Sequence, residues 1–221
     1  MPPAPSPPPS ERIRVAYQRR HESDYVFGFW TALGWTILTC GVYGYYVFYQ
    51  LMRRMRDHNR RRLELVDGAA ALAWERANAA GLAEELRPEF ERLSASVASL
   101  RQMTTDFRDP AIWTLLAVVT GIAQIVGWIF LDQDLVKHDA HERAIESDLA
   151  AVYGRLGYAL PASSLSPLER QNYVGRIVAT VFSFGIYGLW WLYNMMDDPN
   201  RHFRLNWSWE DALAETVRSM G

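Results

Sequence analysis

The sequence has a single cysteine and a single lysine, and ionisable side chains are missing from three long stretches. Because Cys40 has no partner, no disulfide can form within the chain. Lys137 is the one lysine, so nearly all basic residues are arginine, a usage typical of a GC-rich bacterial genome. The net charge of -2 argues against nucleic acid as a partner.

Several catalytic motifs are also missing. The sequence contains no Gly-rich phosphate loop, no nucleophile elbow and no HExxH motif. We therefore expect no enzymatic activity and no cofactor. A cleavable signal peptide is not expected either, because the first apolar run begins only at Tyr25 and is too long for one.

Three windows lack Asp, Glu, Lys, Arg and His altogether, namely residues 25–52, 110–131 and 177–196. Each reaches the roughly 18 to 20 residues with which a helix spans a bilayer, and aromatic residues crowd one end of the first and the third. The alternative is a bundle of helices buried on all sides. We expect an all-α, multi-pass protein of the bacterial inner membrane with three spans, and basic residues near the span ends favour N-out, C-in by a small margin.

The same windows divide the chain into segments. The predicted order is a Pro-rich disordered tail and juxtamembrane segment (1–24), span 1 (25–52), a cytoplasmic helical hairpin (53–109), span 2 (110–131), a polar helix and loop (132–172), span 3 (173–196) and a C-terminal amphipathic tail (197–221).

A short pattern occurs twice, 144 positions apart. Gly41-Val42-Tyr43-Gly44 is repeated as Gly185-Ile186-Tyr187-Gly188, and each copy is followed by Tyr, Met and His at the same spacing. Glycine weakens a helix and lets backbones approach, so we expect the spans to kink and pack at these pairs. The residues assigned to this packing role are Gly41, Tyr43, Gly44, Tyr49, His58, Gly185, Tyr187, Gly188, Trp191, Tyr193 and His202.

A third, degenerate copy is suggested by spacing alone. Gly121 precedes His138 by 17 positions, which is also the separation of Gly41 from His58 and of Gly185 from His202. The three histidines could therefore converge, which gives one metal or haem hypothesis. A second metal hypothesis uses Asp134, His138 and His141, which share a helix face at spacings of four and three, with Glu142 adjacent.

The Gly-x-Tyr-Gly copies resemble a bacterial membrane family known as domain of unknown function 4234. Its hallmark is Thr-x-Gly-Ile-Tyr-Gly followed by Trp-x-Tyr, and the resemblance covers roughly residues 26–60 and 172–204. The second copy is the closer one, because Val47-Phe48-Tyr49 replaces Trp-x-Tyr in the first. The resemblance implies an integral membrane protein and no established reaction.

The segment between the first two windows is predicted to be helical. Apolar residues from Leu86 to Phe107 recur at alternating spacings of four and three, which is a heptad seam, and Pro88 is placed to open the second helix of a hairpin. The seam either packs the hairpin on itself or offers a docking or dimerisation face. Six arginines at the start of the segment are expected to contact anionic lipid: Arg53, Arg54, Arg56, Arg60, Arg61 and Arg62.

Three function classes follow from these features. The first is a structural or assembly protein whose partners are the lipid bilayer and, through the hairpin, another protein or a second copy. The second is a component of a small-solute transporter or channel, since membrane repeats often build pathways. The third is a metal-dependent membrane enzyme.

Overall fold

The computed structural model describes residues 7–163, 166–169 and 171–220, and every regular element within them is an α-helix. The all-α part of the predicted fold class is therefore confirmed. The helices are α1 (Pro9–Gln18), α2 (Arg20–Ser23), α3 (Phe29–Leu38), α4 (Val42–Ala79), α5 (Arg87–Thr105), α6 (Pro110–Thr120), α7 (Ile122–Arg155), α8 (Tyr173–Phe182) and α9 (Ile186–Ser219).

The architecture consists of three helical hairpins, in which the short apolar helices α3, α6 and α8 each fold back onto the long helices α4, α7 and α9. In the first hairpin the chain turns at Cys40 and Gly41, whose φ angles are 49° and 94°. The Gly41 amide donates to the Thr36 carbonyl at 2.8 Å, and the Tyr43 amide donates to the Thr39 hydroxyl at 2.9 Å. A glycine tolerates this positive φ without a steric penalty.

The second Gly-x-Tyr-Gly copy forms the same turn. Phe184 and Gly185 have φ angles of 51° and 90°. The Gly185 amide donates to the Thr180 carbonyl at 2.8 Å, and the Tyr187 amide donates to the Ser183 hydroxyl at 2.9 Å. The repeat in the sequence is thus a repeat of hydrogen bonds. The turn between α6 and α7 is tighter, with Gly121 at a φ of 65° and no second positive φ beside it.

These turns overturn the predicted membrane spans. Each uncharged window is divided between a short helix of 10 or 11 residues, about 15 Å long at 1.5 Å per residue, and the first turns of a long helix that continues into charged sequence. Among the described residues, the structure contains no helix with both the length and the apolar character needed to cross a membrane. The predictions of three spans and of a multi-pass inner-membrane location are therefore wrong.

The predicted segment boundaries change accordingly. Helix α4 begins inside the first window and runs without a break to Ala79, so the hairpin at 53–109 is the second half of α4 followed by α5. Residues 9–23 are helical and are not part of a disordered tail, while residues 1–6 lie outside the described part. The segment 197–220 is the second half of α9 and not a separate tail.

The heptad seam is buried in the bundle. Leu86, Leu93 and Leu100 are at most 1% exposed, and Leu93 and Leu100 belong to an apolar core that also contains Leu149 and Tyr153 of α7. A third long helix therefore covers the seam. As a result, the seam is not a free docking face, and the α4–α5 hairpin is held within the same fold.

Helix α9 passes through Pro199 without ending. Proline has no amide hydrogen, so the carbonyl of Met195, four residues earlier, loses its helical donor. Arg54 from α4 replaces it by donating to the carbonyls of Met195 and Met196 at 3.1 and 3.2 Å, and to Asn200 Oδ1 at 2.8 Å. This side chain is 2% exposed and joins α4 to α9.

Candidate metal centre

Three histidines meet where the long helices α4, α7 and α9 come together. The ring centroids of His58 and His138 are 5.1 Å apart, and each lies 5.6 Å from that of His202. The near-equilateral triangle follows from the sequence, because each histidine lies 17 positions after the glycine at the turn of its hairpin. Equal spacing brings one ring from each hairpin to the same level of the bundle.

A carboxylate lies among the three rings. Glu142 Oε1 is 3.0 Å from His138 Nε2 and 3.9 Å from His58 Nε2, and Glu142 Oε2 is 3.0 Å from His202 Nε2. One ligand atom from each of these four residues lies within 4.8 Å of the others. All four side chains are buried, with at most 3% of their surface exposed. Three imidazoles and one carboxylate are therefore directed at a common point.

Side chains one turn after the histidines on α4 and α9 donate hydrogen bonds to this carboxylate. The residues four positions after the three histidines are Arg62, Glu142 and Asn206. Arg62 Nε donates to Glu142 Oε1 at 2.5 Å, and Asn206 Nδ2 donates to Glu142 Oε2 at 2.8 Å. Burial would raise the pKa of Glu142, but Arg62 and His138 outweigh it and hold the pKa well below its ordinary value. Glu142 is thus a fixed anion.

His58 has a free nitrogen directed at this anion. Its Nδ1 lies 2.9 Å from Asp24 Oδ1, and a carboxylate can only accept, so Nδ1 carries the proton. Burial lowers the pKa of His58 to about 3 in spite of Asp24, so the ring is neutral. Its Nε2 therefore presents a lone pair, and no described residue donates a hydrogen bond to it. Two acceptors, this nitrogen and Glu142 Oε1, face each other in a buried site.

A second carboxylate, Asp139, lies behind His202, with Oδ1 3.4 Å from Nδ1 of the ring. Burial would lower the pKa of His202, but Asp139 and Glu142 outweigh it and raise the pKa to about 9. Carboxylates behind histidine rings are the usual arrangement around bound metals, where they fix the tautomer and orient the ligand. Here Asp24 and Asp139 have this position for two of the three rings.

The ion pairs around the rings carry an excess of negative charge. In the described part of the chain, the network contains five buried carboxylates and three guanidiniums, so the arginines leave two negative charges uncompensated: Asp24, Asp139, Glu142, Glu146 and Glu210 against Arg61, Arg62 and Arg143. A proton on His202, whose pKa is raised to about 9, offsets one of these charges, and a bound metal ion would displace that proton. Burial raises the pKa of Glu146 and Glu210, so a proton there would offset part of the excess. A divalent cation would offset all of it and would also give His58 Nε2 a partner.

The other predicted metal set does not assemble. Asp134 pairs with Arg108 at 2.6 Å, and His141 lies outside the group of converging ligand atoms. Of that set only His138 faces the cluster. It does so with Glu142, four residues later on the same helix, and not with the aspartate and histidine chosen from the sequence.

The arginine run is only half exposed. Arg53 and Arg60 are exposed and Arg56 is partly buried, but Arg54, Arg61 and Arg62 are at most 5% exposed. Arg61 binds Asp24 at 2.7 Å and Glu210 at 2.8 Å, which places it inside the bundle. Contact of all six arginines with anionic lipid is therefore wrong, because buried carboxylates bind the inward-facing guanidiniums.

The repeat residues divide between the turns and the centre. Gly41 and Gly185 have open space around them and serve the turn conformation, whereas Gly44 and Gly188 face Thr36 and Thr180 so closely that an added Cβ would lie 3.3 and 3.0 Å from a threonine methyl. His58 and His202 reach the centre. The aromatic members lie along the hairpins, with Trp191 buried, Tyr43, Tyr49 and Tyr187 partly buried and Tyr193 exposed.

Sequence reasoning placed Glu142 next to the Asp134, His138 and His141 set but did not group it with Arg62 and Asn206, although a signal was present. Extending the histidine alignment by four positions in all three copies finds these residues, one from each hairpin. Asp24 carries no such signal, because it lies in the short stretch between α2 and α3 and reaches His58 only through the fold.

The fold and the site define an all-helical protein in which three helical hairpins surround a buried cluster of histidines and carboxylates. Residues 27–97, about a third of the chain, match the family model described as "Domain of unknown function (DUF4234)". The match confirms the resemblance recognised in the first Gly-x-Tyr-Gly copy, and its range does not extend to the second. Neither the curated proteins nor the solved structures include a match to this chain.

Proposed function

We propose that the protein binds one divalent transition-metal ion through Nε2 of His58, His138 and His202 and a carboxylate oxygen of Glu142. The observation that carries the proposal is the buried lone pair of His58 Nε2, which faces a fixed carboxylate with no donor from the described residues. A divalent cation can bind both groups at once and can also be held by the imidazoles of His138 and His202.

The distances support this assignment. Zinc bonds of about 2.0 to 2.2 Å in tetrahedral geometry place ligand atoms about 3.3 Å apart. Glu142 Oε1 lies 3.0 and 3.9 Å from Nε2 of His138 and His58, and Glu142 Oε2 lies 3.0 Å from Nε2 of His202. One ligand atom from each residue lies within 4.8 Å of the others, so binding through a single carboxylate oxygen would draw the ligand atoms together by up to about 1.5 Å. Imidazole and carboxylate ligands in a tetrahedral arrangement favour Zn²⁺, with Fe²⁺ and Mn²⁺ as competitors.

The role that fits this centre is structural. A catalytic zinc keeps one position open for water or substrate, whereas four protein ligands close the site. The ion would join α4, α7 and α9 where the three hairpins meet, in the manner of a structural metal whose binding energy is folding energy. The proposal keeps the structural role expected from the sequence and replaces the membrane bundle with a metal-centred one.

The test is metal binding by the purified full-length chain. After removal of metal with a chelator, Co²⁺ is titrated in, visible absorption is recorded as a report of tetrahedral geometry, and Zn²⁺ is then added to displace it. We expect one ion per chain by elemental analysis. A thousandfold excess of metal over Kd should raise the free energy of unfolding by about 4 kcal/mol.

The matched variants are His138→Ala and His141→Ala, which remove histidines three positions apart on α7. The first should abolish the Co²⁺ absorption, and the second should leave it unchanged, because His141 lies outside the cluster. If the wild-type chain takes up no metal, or if both variants bind equally well, the proposed function is wrong. The wild-type stoichiometry decides the question even if His138→Ala does not fold.

A further inference from the structure

A cleft lined by both polar and apolar residues extends from the surface to His202 of the histidine cluster. It has a volume of about 150 Å³ and lies between α9 and the segment 166–168, and its walls include Asp139, Leu168, Asp198, Arg201, His202 and Leu205. We call it the loading cleft. A water occupies about 30 Å³ in the liquid, so a cleft of this volume has room for several waters or for a partly hydrated ion.

One face of α9 connects the cleft to the site. Asp198, Arg201, His202 and Leu205 are spaced by three and four positions, so they align along the same side of the helix. At the outer end, Arg201 Nη2 lies 3.5 Å from Asp198 Oδ1 and is largely exposed. One turn further along α9, His202 lines the cleft and also belongs to the converging ligand atoms.

The other approaches to the ligands lead through packed side chains. His58 and His138 are fully buried, and the ring of Phe203 lies 4.4 Å from that of His58. Asp139, which backs His202, contributes a carboxylate to the cleft wall as well. A cation entering here would pass from Asp198 toward Asp139 and His202. Each carboxylate on this path has an arginine beside it, Arg201 next to Asp198 at the mouth and Arg143 next to Asp139 further in.

We infer that the loading cleft is the route by which the divalent cation enters and leaves the histidine centre. This inference rests on the proposed metal-binding function. In this route the carboxylate of Asp198 is the first group that the ion contacts. Arg201 slows entry of the ion, because its positive charge offsets the negative charge of Asp198. The segment at Leu168, whose amide lies 3.5 Å from Asp139 Oδ2, forms the opposite wall.

The test is stopped-flow uptake of Co²⁺ by the metal-free full-length protein, followed by its release to excess chelator. Leu205→Trp should narrow the cleft and lower the association and the dissociation rate constants by the same factor, on the order of tenfold for one added 1.4 kcal/mol of barrier. Kd should not change, because the ligands are untouched. Leu205→Ala should change both rates in the opposite direction.

Two arginine variants of α9 test the role of charge at the mouth of the cleft, one of which serves as the control. Arg201→Gln should raise the association rate severalfold at low salt, and this gain should shrink at high salt because exposed charges are screened. Arg204→Gln removes another exposed charge of α9 that does not line the cleft, and it should change neither rate.

The outcomes separate the route from the site. If the wild-type chain binds no metal, the proposed function and the route both fail. If the wild-type chain binds one ion but Leu205→Trp leaves both rates unchanged, or alters the dissociation rate alone, the route is wrong and the metal centre stands.

Discussion

Replacement of Arg62 by methionine tests whether this side chain compensates the charge at the centre of the bundle. Arg62 is fully buried and binds three carboxylates, with Nε 2.5 Å from Glu142, Nη2 2.6 Å from Glu146 and Nη1 3.2 Å from Glu210. Methionine keeps most of the volume and removes the charge and every donor. The change therefore isolates electrostatics from packing.

The expected cost follows from the burial of the partners. Removing one member of a buried ion pair costs about 3–5 kcal/mol, because the remaining charge stays desolvated without a counter-ion. Here three carboxylates at most 1% exposed lose a common guanidinium, so the loss should fall in the upper part of that range. For a domain stabilised by about 5–15 kcal/mol, this is a large fraction of the total.

The assay is denaturant unfolding of the chelator-treated protein, so that bound metal does not replace the missing positive charge. Arg60→Met is the control, because Arg60 lies two positions away and is exposed, and it should change stability by no more than about 0.5 kcal/mol. Adding Glu146→Gln to Arg62→Met should recover part of the loss by removing one uncompensated charge. A cost below about 1 kcal/mol for Arg62→Met would refute the reasoning.

Three further predictions concern other parts of the fold. Gly185→Ala should lower the free energy of unfolding by about 1–2 kcal/mol, because alanine is strained at a φ of 90°, whereas Gly154→Ala within α7 should raise it by up to about 1 kcal/mol; a pair of denaturation curves compares them. Arg54→Met should cost about 1–3 kcal/mol by leaving carbonyls of α9 unpaired, and Pro199→Ala in the same chain should restore part of this through the regained amide; equal stability of the single and double variants would contradict it. Burial raises the pKa of Asp132 in spite of Tyr173 and Arg176, so the folded protein favours the protonated carboxyl; this side chain costs no stability below its unfolded pKa of about 3.8 and lowers the free energy of unfolding as the pH rises through its folded pKa. Asp132→Asn should therefore stabilise the protein at pH 7 and have no effect near pH 3, which denaturant unfolding at both pH values would measure.

The local structure was largely predictable from the sequence. The glycine pairs mark real interruptions of the apolar windows, and the common 17-residue spacing predicts three rings at one level. Hydropathy did not show that the helix ends at each of these interruptions and that the chain reverses direction there. At Cys40 and Phe184 a residue other than glycine has a positive φ, a conformation that its side chain does not indicate in advance. For this reason a count of uncharged residues predicted continuous spans where the chain folds back.

The environment of the arginines could not be predicted in the same way. Nothing within residues 53–62 separates Arg62 from Arg60, because their local sequence is almost uniformly basic. The difference arises from Glu142 and Glu210, which lie about 80 and 150 positions later and become neighbours only in the folded chain. Long-range partners of this kind have no periodic signature, unlike the turns.

The constant interval between each turn and its histidine restricts where the chain can change in length. A residue added between Gly121 and His138 would rotate the ring by about 100° around α7 and shift it by 1.5 Å, so it would point away from His58 and His202. Insertions should therefore be tolerated between α4 and α5 or after α7, outside these three intervals. Among related chains, variation in length is expected to collect at those connections, with the three intervals kept at the same number of residues.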